Sequence, residues 1–358
     1  MKNIIRIISL IFVVTAIGGC GKSQQHQKST DFPKGMKTEL TEQIKVNAEF
    51  QYPENCKDGK CAETQISGQT LWDKQEEIAQ LLVQDGYITN EYIDDYGTVQ
   101  YKIYEIAENN ATLVISDDTL NYATDQASYI NNVLFSDSHF DDYNGNKYQD
   151  KTDLPFMPQK EAWKNVSEVL DKLGVDVSDD VICYVMEHSI MCEEEKKAIA
   201  RAEEEDTKIP TAKTQWTEDD DCYYFMTYTT WQDYPVLPPV MGEGFDENNV
   251  SVIYDKNGIQ SLSINGYYPL ELKNEVEVVS PEMVLKALEK YLGNIISDDI
   301  YEVQRISLCQ KVVQVNPDKH SAEIEPVWEC RVLVKNSDSP DSSYLQKIYF
   351  HAETLKVM

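Results

Sequence analysis

The sequence predicts an α+β fold in which antiparallel sheets are each packed with a helix, and three features predict it. Period-two alternation, as in "TEQIKVNAEFQY" (residues 41–52), marks half-buried strands. Two amphipathic helical patterns, each closed by a glycine, stand ahead of strand-rich stretches. The alternation is that of sheets with one wet face, not the near-continuous apolar runs of the parallel strands in α/β lobes.

At the start of the chain, Lys2 and Arg6 precede a run from Ile7 to Ile17 that is nearly all apolar and stops at Gly18-Gly19-Cys20. A membrane-crossing helix needs about 20 apolar residues, so this run reads as a secretion signal over 1–19. Ile17-Gly18-Gly19-Cys20 resembles the lipobox of bacterial lipoproteins. That resemblance implies cleavage before Cys20 and lipidation of its sulfur. Two acyl chains hold a protein at a membrane durably, so the expected location is the extracytoplasmic face of the cell membrane. Residues 20–37 are polar, with Ser23, Gln24, Gln25, Gln27, Ser29 and Thr30, and read as a flexible tether.

An N-terminal α+β unit is expected over 38–150. Its first strand sets Ile44, Val46, Ala48 and Phe50 on one face, and a helix over Leu71–Gln84 follows with Leu71, Ile78 and Leu82 as its apolar stripe. "GTVQYKIYEI" (97–106) and "ATLVISDDTLNYAT" (111–124) are strands joined at Asn109-Asn110. The stretch from Asp137 to Asp150 is turn-rich and reads as a solvated linker. Asp142, Asn144 and Asn146 have calcium-loop spacing, but Lys147 stands where such a loop needs glycine.

Past that linker the chain says one thing twice, over 151–270 and 271–358. The first copy opens with a helix from Lys160 to Leu173, carrying Ala162, Val166, Val169, Leu170 and Leu173 at helical spacing before Gly174. The second has Ser280 at the N-cap, Pro281 in the first turn, and Val284, Leu288, Tyr291 and Leu292 as its buried face before Gly293. "VSDDV" (177–181) answers "ISDDI" (296–300), each leading into a strand. In the first copy a charged helix, Cys192 to Glu205, reads as an exposed insertion with a Glu193–Lys197 pair. Strands resume at "DCYYFMTYTTW" (221–231), and "VSVIYDKNGIQSLSI" (250–264) is a hairpin turning at Asp255–Gly258. In the second copy "EIEPVWECRVLV" points Trp328, Cys330, Val332 and Val334 inward, and "YLQKIYFHAETLKV" closes the sheet.

A helix followed by an antiparallel sheet, with "PVWE" (326–329) in one strand and "HAETLKV" (351–357) in the last, resembles the PepSY-like modules of bacterial surface proteins. Ala352, Thr354 and Val357 match the closing phrase of those modules; His351 stands for its aspartate and Leu355 for its glycine. Tandem modules behind a membrane anchor resemble the extracytoplasmic accessory regulators of Gram-positive sensor kinases and the surface lipoproteins of gut Firmicutes. The resemblance covers about 160–358. It implies a protein partner and a non-catalytic role, and transfers no functional residue.

The chain carries 62 Asp and Glu against 32 Lys and Arg, a formal charge of −30. Such a field repels nucleic acid, whose binding rests on clustered Lys and Arg; Asp219-Asp220-Asp221 and Glu203-Glu204-Glu205 read as solvated corners. Besides Cys20 there are seven cysteines. Cys56 and Cys61 flank a turn and are candidates for a small disulfide ring; Cys309 and Cys330, in neighbouring strands, are candidates for a bridge between them. Cys183, Cys192 and Cys222 have no metal-ligand spacing. His26, His139, His188, His320 and His351 are scattered, and no nucleophile or phosphate-loop motif occurs, so no catalytic residue, metal or cofactor is expected. The expected role is binding or regulation through a protein. The alternative is a surface lipoprotein that binds a glycan, peptide or other solute through stacked rings, which 22 tyrosines and five tryptophans bring to mind.

Overall fold

The computed structural model describes residues 32–358 apart from 55, 57–58, 84–86, 98, 108–109, 135–146, 149–151, 209, 214, 239–248, 317–320 and 337–342. The chain begins with β1 (Gly35–Glu39), β2 (Ile44–Gln51), β3 (Lys60–Ile66), α1 (Gln75–Val83), β4 (Ile88–Asp95), β5 (Gln100–Ile106), β6 (Ala111–Ile115), β7 (Thr119–Ala123) and the short α2 (Asp125–Tyr129). It continues through α3 (Gln159–Leu173), β8 (Ile182–Met186), α4 (His188–Glu204), β9 (Cys222–Thr227), β10 (Thr230–Trp231), β11 (Tyr234–Leu237), β12 (Val250–Asp255) and β13 (Gly258–Asn265). It ends with β14 (Leu270–Glu277), α5 (Pro281–Leu292), β15 (Ile300–Asn316), β16 (Ser321–Lys335) and β17 (Ser343–His351). The fold is α+β.

An eight-stranded sheet, wholly antiparallel, runs β4-β5-β6-β7-β13-β12-β9-β8. A seven-stranded sheet is built round β15, which pairs antiparallel with β16, and β16 with β17. The other edge of β15 takes β2 along its first half and β11 beyond it, both parallel. A ribbon of β3 and β14 completes the set. The strands of 38–150, expected in one unit, are thus divided: β1 and β2 join the C-terminal strands, β3 pairs with β14, and β4 to β7 join the middle of the chain through β7 and β13. Strands β2 and β11 run parallel to β15 where antiparallel sheets were expected. The residues to be buried were legible, but alternation does not say which distant strand satisfies a strand's backbone edge.

Local patterning holds where it was strong. In β2, Ile44, Val46, Ala48 and Phe50 are buried. Helix α3 ends at Gly174, whose φ of +69° is the left-handed cap that glycine adopts without strain. Helix α5 has Ser280 at its N-cap position and Pro281 in its first turn. Trp328, Cys330, Val332 and Val334 of β16 are all fully buried.

Each later part has a helix followed by three antiparallel neighbours, β8, β9 and β12 after α3 and β15, β16 and β17 after α5, but α4, β10 and β11 interrupt the first series and have no counterpart in the second. After β12 the chain turns at Asp255–Gly258; after β17 it turns through Leu355 and Phe350 bridges to Val357.

Three apolar layers hold the elements. On one face of the eight-stranded sheet, Leu113, Phe225, Val252 and Leu262 pack with Val166 and Leu170 of α3 and with Ile78 of α1. On its other face Met186, Tyr224 and Ile253 meet Ala127, Met191 and Trp216. The seven-stranded sheet packs Val303, Trp328 and Val332 against Val284, Leu288 and Leu292 of α5, with Cys61 and Ala62 of β3 alongside.

Helix α4 is therefore not the exposed insertion its charge suggested. It buries Met191 and Ala202 on that second face, together with Glu194 and Glu195. Leu262, fully buried in β13 where the two contributions to the sheet meet, tests this packing. Leu262→Ala is expected to cost about 2–5 kcal/mol in urea unfolding, and a loss below about 1 kcal/mol would contradict its place in the core.

Candidate functional site

The most unusual surface is the outer strand of the eight-stranded sheet. Tyr104 and Ile106, at the far end of β5, are buried in the core; its first residues, Gln100 to Ile103, run out past it. Gly97, at φ +84°, turns the chain back, and β4 pairs with β5 from Ile88↔Ile106 to Asp95↔Gln100. No residue of β4 is buried. Its other edge has no strand partner among the described residues.

Strand geometry divides its side chains between two faces. Glu91, Ile93 and Asp95 lie on the side of Tyr104 and Lys102, to which Glu91 and Ile93 are registered; Asn90, Tyr92 and Asp94 lie on the side of Ile103 and Tyr101. Large apolar side chains are in solvent on both sides: Ile93 is 53% exposed and Tyr92 42%, with Tyr87 at 70% and Tyr96 at 68% beyond the strand ends. Tyr96 meets Tyr101 edge-on at 5.9 Å between ring centres, and its hydroxyl donates to Asp94 at 2.9 Å. Lys102 lies 3.4 Å from Glu91. Asp95 accepts from the Gly97 amide at 2.7 Å and from Gln100 at 2.9 Å, and these hydrogen bonds hold its carboxyl below the usual range. Sequence reasoning passed over β4 because "ITNEYIDD" has no one-sided apolar pattern. The signal that could have found it is its pair, the strong strand 100–106, together with the turn at Gly97.

The residues singled out from the sequence are scattered. Cys20 lies outside the described residues, as do His26, His139, His320 and the calcium-spaced Asp142, Asn144 and Asn146. None of the seven described cysteines is in a disulfide, so the expected Cys56–Cys61 ring is not formed. Cys56 and Cys61 share the core beneath α5. Burial pushes the Cys56 thiol up to about 11 and that of Cys61, beside Cys56, up to about 12, so neither is a thiolate at neutral pH.

The expected facing of Cys309 and Cys330 is corrected. Cys330 is registered with Ile306 and points to the α5 side, whereas Cys309 is registered with Val327 and packs with it and Leu237 on the opposite face. Irregularities in β15 between Val303 and Arg305 and between Val312 and Gln314 break a simple reading of its alternation. His351 caps the closing turn by accepting from the Glu353 and Thr354 amides.

Of the two acidic runs, Glu203-Glu204-Glu205 is exposed as expected and the other is corrected. Of Asp219-Asp220-Asp221, the latter two are buried. Asp220 takes Lys213, Gln126 and the Thr217 amide. Asp221 accepts from the backbone and from Nδ1 of His188, at 2.6 and 2.8 Å, fixing the start of α4. On α4, Lys197 reaches Glu194 at 2.7 Å and not Glu193, because Glu194 is turned inward to Lys147 at 2.8 Å as well. Glu195 accepts from Tyr129, the Lys213 amide and the Trp216 indole. These groups fasten α4 and residues 213–221 to the sheet. Among the described residues no group of three or more His, Cys, Asp or Glu side chains could hold a metal ion, and no helix is long and apolar enough to cross a membrane.

The fold has a solved counterpart. It is similar to the crystal structure of an uncharacterised protein from Eubacterium rectale, with a TM-score of 0.67 and 16% identity over 91% of this chain and 93% of that one. No family model and no curated protein matches the chain. At that identity the likeness is one of fold.

Two outcomes follow from the side-chain geometry. Peptide mapping without reductant is expected to yield no Cys309–Cys330 link, since the sheet lies between the thiols; finding one would overturn the register of β15 on β16. Burial raises the Glu194 carboxyl, but the Lys147 and Lys197 hydrogen bonds outweigh it and the net shift is downward. Its stabilising effect is therefore present above the ordinary carboxylate range and lost as pH falls through the lowered value. Glu194→Gln is expected to lower stability at pH 7 by about 3 kcal/mol, with the difference from wild type shrinking in urea unfolding at pH 3.

Proposed function

We propose that this chain is a membrane-anchored extracytoplasmic lipoprotein with a non-catalytic, binding or regulatory role exercised through contact with another protein. The observation that carries the reading is β4, an edge strand exposed on both faces and bearing tyrosine and isoleucine side chains in solvent. Large exposed apolar groups on an open edge are an aggregation hazard unless a partner uses them. The complete order of charged start, apolar run, small residues and Cys20 supports the anchor.

The two helix-and-three-strand successions are, in this reading, tandem PepSY-like modules. A helix followed by three antiparallel neighbours in each supports that, as does the turn after the third strand of each. Leu355 turns the second at φ +57°, in the backbone region for which the resembling phrase carries glycine. Exposed Tyr87, Tyr92 and Tyr96 favour the second reading, a solute or glycan stacked on rings.

Cys20→Ala tests the anchor. The variant is expected to leave the membrane fraction or to remain uncleaved; if it is still cut and still partitions fully with membranes, the anchor is something else. A reproducible thermal shift with one sugar of a glycan panel, together with no protein crosslinked on native membranes, would replace the first reading by the second. A ligand at a hundred times its Kd stabilises the native state by about 2.7 kcal/mol.

A further inference from the structure

We propose that the free edge of β4 receives an extended segment of a partner protein as a ninth strand, and that this segment is cationic, with Lys or Arg two positions before and two positions after an apolar residue. The inference rests on the binding role proposed above and specifies its site and chemistry. Three observations carry it: an open backbone edge, apolar side chains on both its faces, and a charge pattern that selects among occupants.

An edge strand offers its outward N–H and C=O groups in a row, and an added strand satisfies them all. The side chains of an incoming strand then stand beside those of β4, face for face. On the face shared with Tyr104 they meet Glu91, Ile93 and Asp95 in turn, an acid, an aliphatic group and an acid. The complementary occupant places a cation, an apolar group and a cation at successive same-face positions. On the other face they meet Tyr92 and Asp94, which suits an apolar residue followed by another cation. Lys102 is the one base facing this set from β5, already close to Glu91, and the three carboxylates outnumber it.

The same pattern disfavours a second copy. Antiparallel self-pairing centred on Ile93 would set Glu91 opposite Asp95 twice, and like charges directly opposite are destabilising; the −30 charge of each chain adds to that repulsion. The other outer strands are less suited: β1 exposes no large apolar side chain and β10 has two residues. In β8, Cys183, Val185 and Met186 are buried, and β17 buries Ile348 and Phe350. The outer ends of β14 and β3 are tied by Lys273–Glu63 at 2.7 Å and Lys60–Glu275 at 3.9 Å.

The test is fluorescence anisotropy of a labelled eight-residue lysine–valine peptide built on Lys-Val-Val-Lys-Lys, the series that matches residues 91–95 face for face, titrated with the full chain in detergent. Binding is expected, weakened about tenfold or more by Ile93→Lys and by Glu91→Lys, and weakened further by high salt, which screens exposed charges. Both variants should melt with the wild type, because β4 buries nothing. A glutamate–valine peptide should bind at least tenfold less. A fully N-methylated lysine–valine peptide keeps the charges but loses the N–H donors, and should also bind at least tenfold less. Equal binding of the methylated peptide would overturn strand addition; equal binding of the acidic one would overturn the cationic assignment. A dimer in gel filtration that Ile93→Lys dissolves would make the occupant a second copy.

Capture from native membranes separates this from the broader reading. A partner held equally by wild type and Ile93→Lys keeps the binding role and removes β4 as its site. Capture of nothing, with the lysine–valine peptide still discriminating, sinks the broader reading alone.

Discussion

The long-range structure depends on an exchange of strands across the chain: the part up to Ala123 gives β1 and β2 to the seven-stranded sheet and β4 to β7 to the eight-stranded one. The cause is the unsatisfied edge. Strand β15 spans 17 residues and needs partners along both sides; β16 serves one, and on the other β2 covers Tyr301 to Ser307 while β11 takes Gln310 and Lys311. Likewise β13 has β12 on one side and open donors on the other until β7 pairs with it from Thr119 to Ala123. Burying an open edge without partners costs more than closing the loop that brings a distant strand to it, because loop-closure cost rises only as the logarithm of length.

That exchange decides where the exposed strand lies. Once β7 is fixed beside β13, the hairpins β6–β5 and β5–β4 extend the sheet outward in chain order, and the helices end before the sheet does. Helix α3 covers the central strands and α1 reaches Tyr104, Ile106 and Leu113. Nothing described lies over β4. Its exposure is thus a consequence of strand order, and its composition is the part open to functional choice: an edge that needed only to be harmless would carry charges without Tyr92 and Ile93 between them.

Elements were legible in the sequence where one face had to be buried. The alternation of β2 and β16 and the stripes of α3 and α5 state their own burial, and each was legible without its partner. Pairing was not legible, because period two says which residues share a face and never which strand lies alongside. Cys309 and Cys330 illustrate the limit: neighbouring strands were correct, but their faces depend on the register, which sets Cys330 beside Ile306, an odd three residues from Cys309. The charged segments misled in the same way. Glu194, Asp220 and Asp221 carry the composition of a solvated corner, and only the arrival of Lys147, Lys213 and His188 from elsewhere makes their burial tolerable. Of the candidate site, strand β5 was readable; Gly97 was read as the start of that strand and not as a turn, and β4 was not read, since a strand exposed on both faces has no pattern to read.

The charge of the molecule acquires meaning from the same division. Buried carboxylates around α4 are matched in place, Glu194 by two lysines, Glu195 by three donors and Asp221 by His188, whereas burial raises the Glu329 carboxyl despite Arg305 at 3.8 Å. What remains negative is surface, which makes the field at any open edge repulsive to acidic chains, this one included, and attractive to basic ones. Backbone pairing alone cannot discriminate, because every polypeptide carries the same N–H and C=O groups. Discrimination at such an edge has to come from side chains beside it, and charge also governs encounter rate while apolar contact and strand hydrogen bonds govern residence. Strand β4 joins the two: acids on both faces to select, Ile93 and Tyr92 to hold.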